Sequence, residues 1–121
     1  MKDFKELKVW QRSHQITLKI YKITASFPKE ELYGLVSQMR RSSSSIPTNI
    51  AEGCGRGSDA DFARFLQIAM GSASELEYQL LLSVDLGFIK QEAYQAINPE
   101  LIETKRMLNS FLQKLNAHLG K

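Results

Sequence analysis

The sequence has few of the residues that build catalytic or metal centres. Its 121 residues include one cysteine, Cys54, and two histidines, His14 and His118. A single cysteine cannot form an internal disulfide, which suits a reducing compartment. Neither histidine lies near Cys54 or follows a glutamate by three residues, the spacing that di-metal sites in helical bundles use. We therefore expect no catalytic residue, no metal and no cofactor, and we predict that the protein is not an enzyme.

Long apolar runs are also absent. No stretch approaches the ~20 apolar residues that a membrane-spanning helix needs, and the charged first residues do not resemble a secretory signal. The sequence therefore predicts a soluble, cytoplasmic protein with neither a membrane partner nor a small-molecule substrate. Strand-like alternation, internal repeats and low-complexity segments are missing as well. We expect one domain over residues 1–121, a length that can bury a proper core.

What the sequence does contain is helical periodicity in four stretches. The predicted helices extend over residues 6–27, from residues 29–31 to Gly53, from Ser58 to Gly87 and, as a heptad pattern, from Tyr94 to Leu115. The last pattern runs past Pro99, so either Asn98 caps a fresh helix or one kinked helix passes through. Four helices with short connections predict an all-α fold, an antiparallel up-down four-helix bundle.

The centre of the second helix, residues 40–53, combines four consecutive serines with a proline. Pro47 has no N–H, so the carbonyl of Ser43 loses its helical partner and the helix should kink there. Serine hydroxyls are the expected replacement donors. One interpretation is a kinked core helix with satisfied polar groups. The other gives Asn49 and Glu52 a role at a contact between helices or subunits.

The first helix has two apolar stripes, about 150° apart around its axis. They contain, respectively, Val9, Ile16, Ile20, Ile23 and Phe27, and Leu7, Trp10, His14, Leu18, Tyr21 and Ala25. A small bundle covers one such face, so the second face predicts an oligomer with Trp10, His14 and Tyr21 in its interface. The alternative is one broad core that absorbs both stripes. Within its stripe, His14 is expected to be a packed side chain rather than a ligand.

Positive charge is concentrated between these two stripes. The net charge of +3 is mild, but residues 1–26 hold six Lys or Arg and only two acids. We call the five cations at helical spacing the basic ridge: Lys5, Lys8, Arg12, Lys19 and Lys22. With Arg40 and Arg41 as further donors, the ridge is a candidate nucleic-acid site, because phosphates need Lys and Arg on one face. It lacks interleaved exposed aromatics for base stacking, and a merely solvated basic face is the alternative.

Several segments carry a family resemblance. The paired arginines are followed by Ser45-Ile46-Pro47-Thr48-Asn49-Ile50-Ala51-Glu52-Gly53, and later segments are Phe65-Leu66-Gln67-Ile68-Ala69, Gly71-Ser72-Ala73, Glu75-Leu76-Glu77-Tyr78-Gln79-Leu80, Asp85-Leu86-Gly87 and Arg106-Met107-Leu108-Asn109. Together they resemble the bacterial four helix bundle family. Its members were first noted as proteins encoded in intervening sequences of large-subunit ribosomal RNA genes, and it has been labelled a ribosomal protein family.

The resemblance implies the bundle fold but no reaction. The family is similar to the accessory variability determinant of diversity-generating retroelements, a basic homopentamer that binds RNA and a reverse transcriptase. For this chain the resemblance therefore implies a homo-oligomer, five subunits being the expected number, that binds or scaffolds RNA or an RNA-handling protein. The alternative hypothesis is a purely protein-interaction bundle whose basic ridge keeps the assembly soluble.

Overall fold

The computed structural model describes residues 3–120; Met1, Lys2 and Lys121 lie outside the described residues. It contains four long helices: α1 (Lys8–Thr24), α2 (Ser37–Gly55), α3 (Asp59–Asp85) and α4 (Gln91–His118). Short 3₁₀ turns at Phe4–Glu6 and Lys29–Glu31 and a π-helical turn at Leu32–Val36 complete the secondary structure. Within residues 3–120 there is no strand.

Contacts between side chains show that neighbouring helices are antiparallel. Ser42 of α2 bonds Gln79 of α3, whereas Ser45, one turn later, contacts Ser72, about two turns earlier. α1 and α2 are antiparallel as well, since Thr17 contacts Ser43 and the later Thr24 contacts the earlier Arg40. The same holds for α3 and α4, where Asp59 contacts His118 and the later Glu77 contacts the earlier Lys105. α1 also packs on α4 and closes the bundle. The predicted all-α four-helix bundle is confirmed.

All four helices contribute to one apolar core. Its fully buried side chains are Ile16, Ile20, Met39, Ile46, Ile50, Leu66, Leu76, Leu80, Leu101 and Leu108. Burying each such side chain contributes about 1.5–3 kcal/mol relative to exposure, so this core is the main source of stability. Over residues 3–120, no helix has both the length and the apolar character that a membrane crossing requires.

The helix boundaries differ from the predicted ones where local backbone geometry intervenes. Leu7 is extended, with ψ of 126°, and separates the first 3₁₀ turn from α1. The predicted start of the second helix at residues 29–31 is wrong for α2, because Gly34 adopts φ −112° and ψ −109° and interrupts the helical path. α4 runs through Pro99 as one helix, which decides between the two alternatives. α2 likewise spans Pro47, and a kink there stays a prediction.

The carbonyl of Ser43, freed by Pro47, has a partner from outside its own helix. The Thr17 hydroxyl of α1 lies 2.9 Å from this oxygen and 3.0 Å from the carbonyl oxygen of Ser13. The hydroxyls of Ser42, Ser43 and Ser44 instead donate to carbonyls three residues earlier in α2. The donor is therefore a threonine of α1, not a serine of α2 as expected. This bond ties α1 to α2 at the proline.

A second close approach joins α2 to α3 at Gly53. A Cβ atom added at this residue would lie 2.8 Å from Cδ1 of Phe62 and 3.0 Å from Cβ of Phe65. Real Cβ atoms essentially never lie that near to another side chain. Gly53 is also buried, so the two helices meet here only because this position has no side chain.

We predict that Thr17→Val lowers the free energy of unfolding by about 1–3 kcal/mol, because it leaves the buried Ser43 carbonyl without a donor. In a Pro47→Ala background, residue 47 supplies the missing N–H, so the same substitution should cost clearly less. Urea denaturation of the four proteins in this cycle measures the difference. Thr48→Val, at an exposed position of α2, is the control and should be close to neutral. Equal costs of Thr17→Val in both backgrounds would contradict the assigned bond.

We also predict that Gly53→Ala destabilises the protein by about 1–3 kcal/mol, because its Cβ overlaps Phe62 and Phe65. The matched control is Gly71→Ala in the middle of α3, where an added Cβ meets nothing within 4 Å. That substitution should stabilise the helix by about 0.5–1 kcal/mol. Thermal unfolding measures the melting temperature of each variant. A change of the same sign in both variants would be inconsistent with the geometry at Gly53.

Candidate nucleic-acid interface

The structure places the basic ridge on an exposed side of the bundle. Lys8, Arg12, Lys19 and Lys22 project from α1 and are exposed, and Lys5 is exposed in the 3₁₀ turn that precedes it. On an ideal helix, residues three or four apart lie about one 5.4 Å turn from each other, so Lys8 adjoins Arg12 and Lys19 adjoins Lys22, with Gln15 between the two pairs. The predicted juxtaposition along α1 is therefore present.

Only part of this row is neutralised by acids. Lys19 forms a short salt bridge to Glu100 of α4, and Lys5 has Asp3 at 3.9 Å. Lys8, Arg12 and Lys22 have no ion-pair partner among the side chains of residues 3–120. These last three cations are therefore available to an anionic ligand without the loss of an internal pair.

The two arginines assigned to the ridge from sequence lie elsewhere. Arg40 is half-buried, and its guanidinium donates to the Thr24 hydroxyl at 3.0 Å and to the Tyr21 carbonyl at 3.1 Å. It also lies 4.9 Å from the centre of the Tyr21 ring, a cation–π distance. Arg41 reaches Glu75 of α3 at 3.5 Å. The structure thus places Arg40 at the α1–α2 seam and Arg41 at the α2–α3 seam, apart from the ridge.

Three openings lie between α1 and α4, on the side of α1 that carries Lys8, Lys19 and Lys22. The first, about 430 Å³, is lined by Leu7, Lys8, Val9, Met107, Ser110, Phe111 and Lys114. The second, about 290 Å³, is lined by Lys19, Lys22, Ile23, Ala93, Ala96 and Ile97. The third, about 420 Å³, is lined by Ile23, Ser26, Phe88, Ile89, Lys90, Glu92 and Ala93. The second and third share Ile23 and Ala93, so they adjoin. We call the three openings together the α1–α4 groove.

Four residues of this groove were missed by sequence reasoning. Lys90 and Lys114 add cations to those of α1, and Phe88 and Phe111 add aromatic rings. Their distance from the ridge in sequence is large, and only the packing of α4 on α1 brings them close. The heptad pattern of the fourth helix assigns Phe111 to the core, and the structure shows it half-buried with part of its surface in the groove.

The bundle covers the second apolar stripe of α1 only in part, since Leu7 and Trp10 pack against the core. Trp10 and His14 are half-buried and stack on each other, with ring centres 4.9 Å apart and planes 10° from parallel, and Phe4 packs edge-on against Trp10. Leu18 is 50% exposed and Tyr21 is 45% exposed. The bundle therefore does not absorb both stripes. His14 packs as expected, and the assignment of Trp10, His14 and Tyr21 to a subunit interface stays a prediction.

The other two predicted interface residues lie on a different side of the bundle. Asn49 donates to the carbonyl and the hydroxyl of Ser45, at 2.8 and 2.9 Å, and Ser45 in turn contacts Ser72 of α3 at 2.8 Å. Asn49 thus supports a contact between helices of one chain. Glu52 is exposed and forms an ion pair with Arg56, one turn later, at 2.9 Å. Neither residue lies beside the exposed stripe of α1.

The remaining question about side-chain chemistry is whether potential metal ligands lie together. Across residues 3–120, the histidine, cysteine and carboxylate side chains form no group of three or more that is arranged to hold an ion. Cys54 is buried where α2 approaches α3, beside Phe62 and Phe111.

Comparison with known proteins gives the family. The sequence pattern of the 23S rRNA-intervening sequence protein family matches residues 5–110, which is most of the chain. The chain belongs to this family. The matched range contains the whole basic ridge and most of the α1–α4 groove, although Phe111 and Lys114 lie just outside it. The resemblance drawn from the motifs around Pro47 is therefore confirmed.

A solved structure agrees with this assignment. The chain is similar to a protein of unknown function from the S23 ribosomal protein family of Bacteroides thetaiotaomicron, with 32% sequence identity and a TM-score of 0.78. The similarity covers 86% of this chain and 97% of that one. The search of curated proteins gives no match. Membership of the 23S rRNA-intervening sequence protein family therefore establishes the fold, while the site has to be argued from its residues.

Proposed function

We propose that this protein is a non-enzymatic homo-oligomer that binds RNA through the basic ridge of α1. The observation that carries the proposal is the set of three exposed cations, Lys8, Arg12 and Lys22, that have no ion pair within residues 3–120. Contacts between Lys or Arg and phosphates supply most of the affinity for nucleic acid. The name of the family, which refers to an intervening sequence of 23S rRNA, supports RNA as the polyanion.

The distribution of charge supports the same proposal. A net charge of +3 over 121 residues gives little general attraction to nucleic acid. Cations concentrated along one helix create a local field that is much stronger than the total suggests. The phosphates of RNA hold condensed cations, and the free lysines and arginine of the ridge would release these ions on contact, which would drive binding. The single cysteine is consistent with the reducing cytoplasm, where RNA is found.

The exposed stripe of α1 supports the oligomeric part of the proposal. Burial of apolar surface contributes about 25 cal/mol per Å², so a stripe with Leu18 and Tyr21 half-exposed favours association. Head-to-tail contacts between different faces close into rings, and the resemblance to the retroelement protein gives five as the proposed number of subunits. A ring would repeat the basic ridge around its circumference. The same resemblance makes an RNA-handling protein, such as a reverse transcriptase, a further proposed partner.

A second candidate function is a purely protein-interaction bundle. The stacked Trp10 and His14 and the exposed Leu18 and Tyr21 favour it, because aromatic side chains are enriched at the centres of protein interfaces. In this case the ridge would only keep the assembly soluble.

We predict that Lys8→Glu combined with Lys22→Glu abolishes RNA binding, because both lysines are exposed and neither supports a salt bridge within residues 3–120. The matched control, Lys29→Glu with Arg106→Glu, makes the same charge change at exposed positions off the ridge. Fluorescence anisotropy with a labelled oligonucleotide, measured from 50 to 200 mM salt, compares them. Wild-type affinity should fall steeply with salt, by a slope of about 0.7 for each single-strand phosphate contacted. Salt-independent binding, or no binding at low salt, would remove the RNA proposal.

For the oligomer, we predict that native mass spectrometry finds a multiple of the 13.8 kDa subunit mass. Leu18→Glu should return the protein to single subunits, because a charge in the exposed stripe cannot be buried without a partner. Gln95→Glu, which adds the same charge at an exposed position of α4, serves as the control and should leave the assembly intact. A wild-type protein found only at the mass of one subunit would show that the stripe does not drive association.

A further inference from the structure

We infer that the RNA is single-stranded and lies along the α1–α4 groove, with its bases against Phe88 and Phe111. This inference rests on the proposed function, since it names the form of RNA and the path that it takes. It adds two lysines and two aromatic residues to the site, none of which is on α1. Sequence reasoning found the ridge without aromatics, and the structure supplies them from α4 and from the segment that precedes it.

The charge along the groove is the first observation. The residues that line its openings include five lysines, Lys8, Lys19, Lys22, Lys90 and Lys114, and one glutamate, Glu92. Glu100, bound to Lys19, is the second acid at this seam. The excess of three positive charges equals the net charge of the whole chain, +3. The groove therefore holds a local excess of positive charge, to which Lys5 and Arg12 of the neighbouring ridge add.

The aromatic rings are the second observation. Phe111 is held by Phe62 in an edge-on contact at 5.1 Å, and Phe88 is held by Phe27 at 5.5 Å. Both groove residues are half-buried, so each ring is fixed by its neighbour and still lines an opening. A fixed ring beside lysines is the arrangement that single-strand binding proteins use, because any base can stack on it while cations hold the backbone.

The form of the RNA follows from the floor of the groove. Between the lysines, the floor is apolar: Ile23, Ala93, Ala96 and Ile97 line the second opening. A duplex presents phosphates and 2′-hydroxyls and keeps the faces of its bases stacked inside, so it would leave this floor uncovered. The splayed bases of a single strand can cover it. The ridge from Lys8 to Lys22 extends for about 21 Å along α1, which matches a site of a few nucleotides.

The test compares a labelled ten-nucleotide oligo(U) with an RNA duplex of equal length, by fluorescence anisotropy at low salt. We expect oligo(U) to bind more tightly than the duplex. Phe111→Leu and Phe88→Leu should each weaken oligo(U) binding at least about fivefold, as loss of one stacked base predicts, with little effect on the duplex. The matched controls are Phe62→Leu and Phe27→Leu. They remove the same two ring pairs but lie outside the groove openings, and they should keep oligo(U) binding.

Direct crosslinking supplies a readout that does not depend on folding of the variants. Oligo(U) containing 4-thiouridine, irradiated on the wild-type protein, should attach to peptides that contain Phe88 or Phe111. Attachment confined to other parts of the chain would overturn the inference.

The outcomes separate this inference from the proposed function. Failure to bind either RNA would remove both. Equal binding of oligo(U) and duplex, lost in the Lys8→Glu/Lys22→Glu protein but kept in both groove phenylalanine variants, would overturn the single-strand path and leave RNA binding intact. Displacement of oligo(U) by polyglutamate at equal charge would also overturn it, because the groove would then act as a general anion or acidic-peptide surface. Loss of oligo(U) binding in Phe88→Leu and Phe111→Leu, with duplex binding unchanged, supports the inference.

Discussion

The hydrogen bond from Thr17 to the carbonyl of Ser43 determines how the first two helices meet. Pro47 creates the need for it, because a buried carbonyl without a donor is costly. Once Thr17 faces α2, the rotation of α1 about its own axis is fixed, and so is the direction of every other residue on that helix. The buried polar residues Ser13, Thr17 and Thr24 lie toward α2, and the basic ridge is left exposed on the side that borders α4. The hydrogen bond that Pro47 makes necessary thus lies on the side of α1 away from its charged surface.

The same orientation explains why the two exposed surfaces of α1 are distinct. Arg40 bonds the last turn of α1 and lies over Tyr21, so the apolar stripe borders the α1–α2 seam. The ridge lies on the opposite flank, where Lys19 is joined to Glu100 of α4. A subunit contact on one flank would leave the other free. Self-association and ligand binding therefore need not compete for the same residues of α1.

Helical periodicity was enough to predict the bundle, because each long helix has a clear apolar face and Gly53 and Ser58 mark the turn between α2 and α3. It also predicted the exposed ridge and the uncovered stripe, which are properties of a single helix. It could not predict the donor to Ser43, because Thr17 is 26 residues away, whereas the serines expected as donors lie in the same helix. Arg40 and Arg41 were grouped with the ridge by their sign alone, whereas packing turns them to two other seams. Lys90, Lys114, Phe88 and Phe111 are far from α1 in sequence, and nothing in the periodicity of one helix shows which neighbour it will face.

The spacing of these contacts along the chain has a consequence for synthesis on the ribosome. The bonds between α1 and α2 join residues 16 to 26 positions apart, so the first two helices can pair early, whereas Lys19 and Glu100 are 81 positions apart. Contacts between residues distant in sequence can form only after the later residue has been synthesised, and they carry the larger loop-closure cost. A nascent chain that has completed α1, α2 and α3 already displays its lysine row but has no α4 beside it. The groove exists only once α4 has packed on α1, and under the proposed function a nascent chain would attract RNA by charge before it could hold a strand in place.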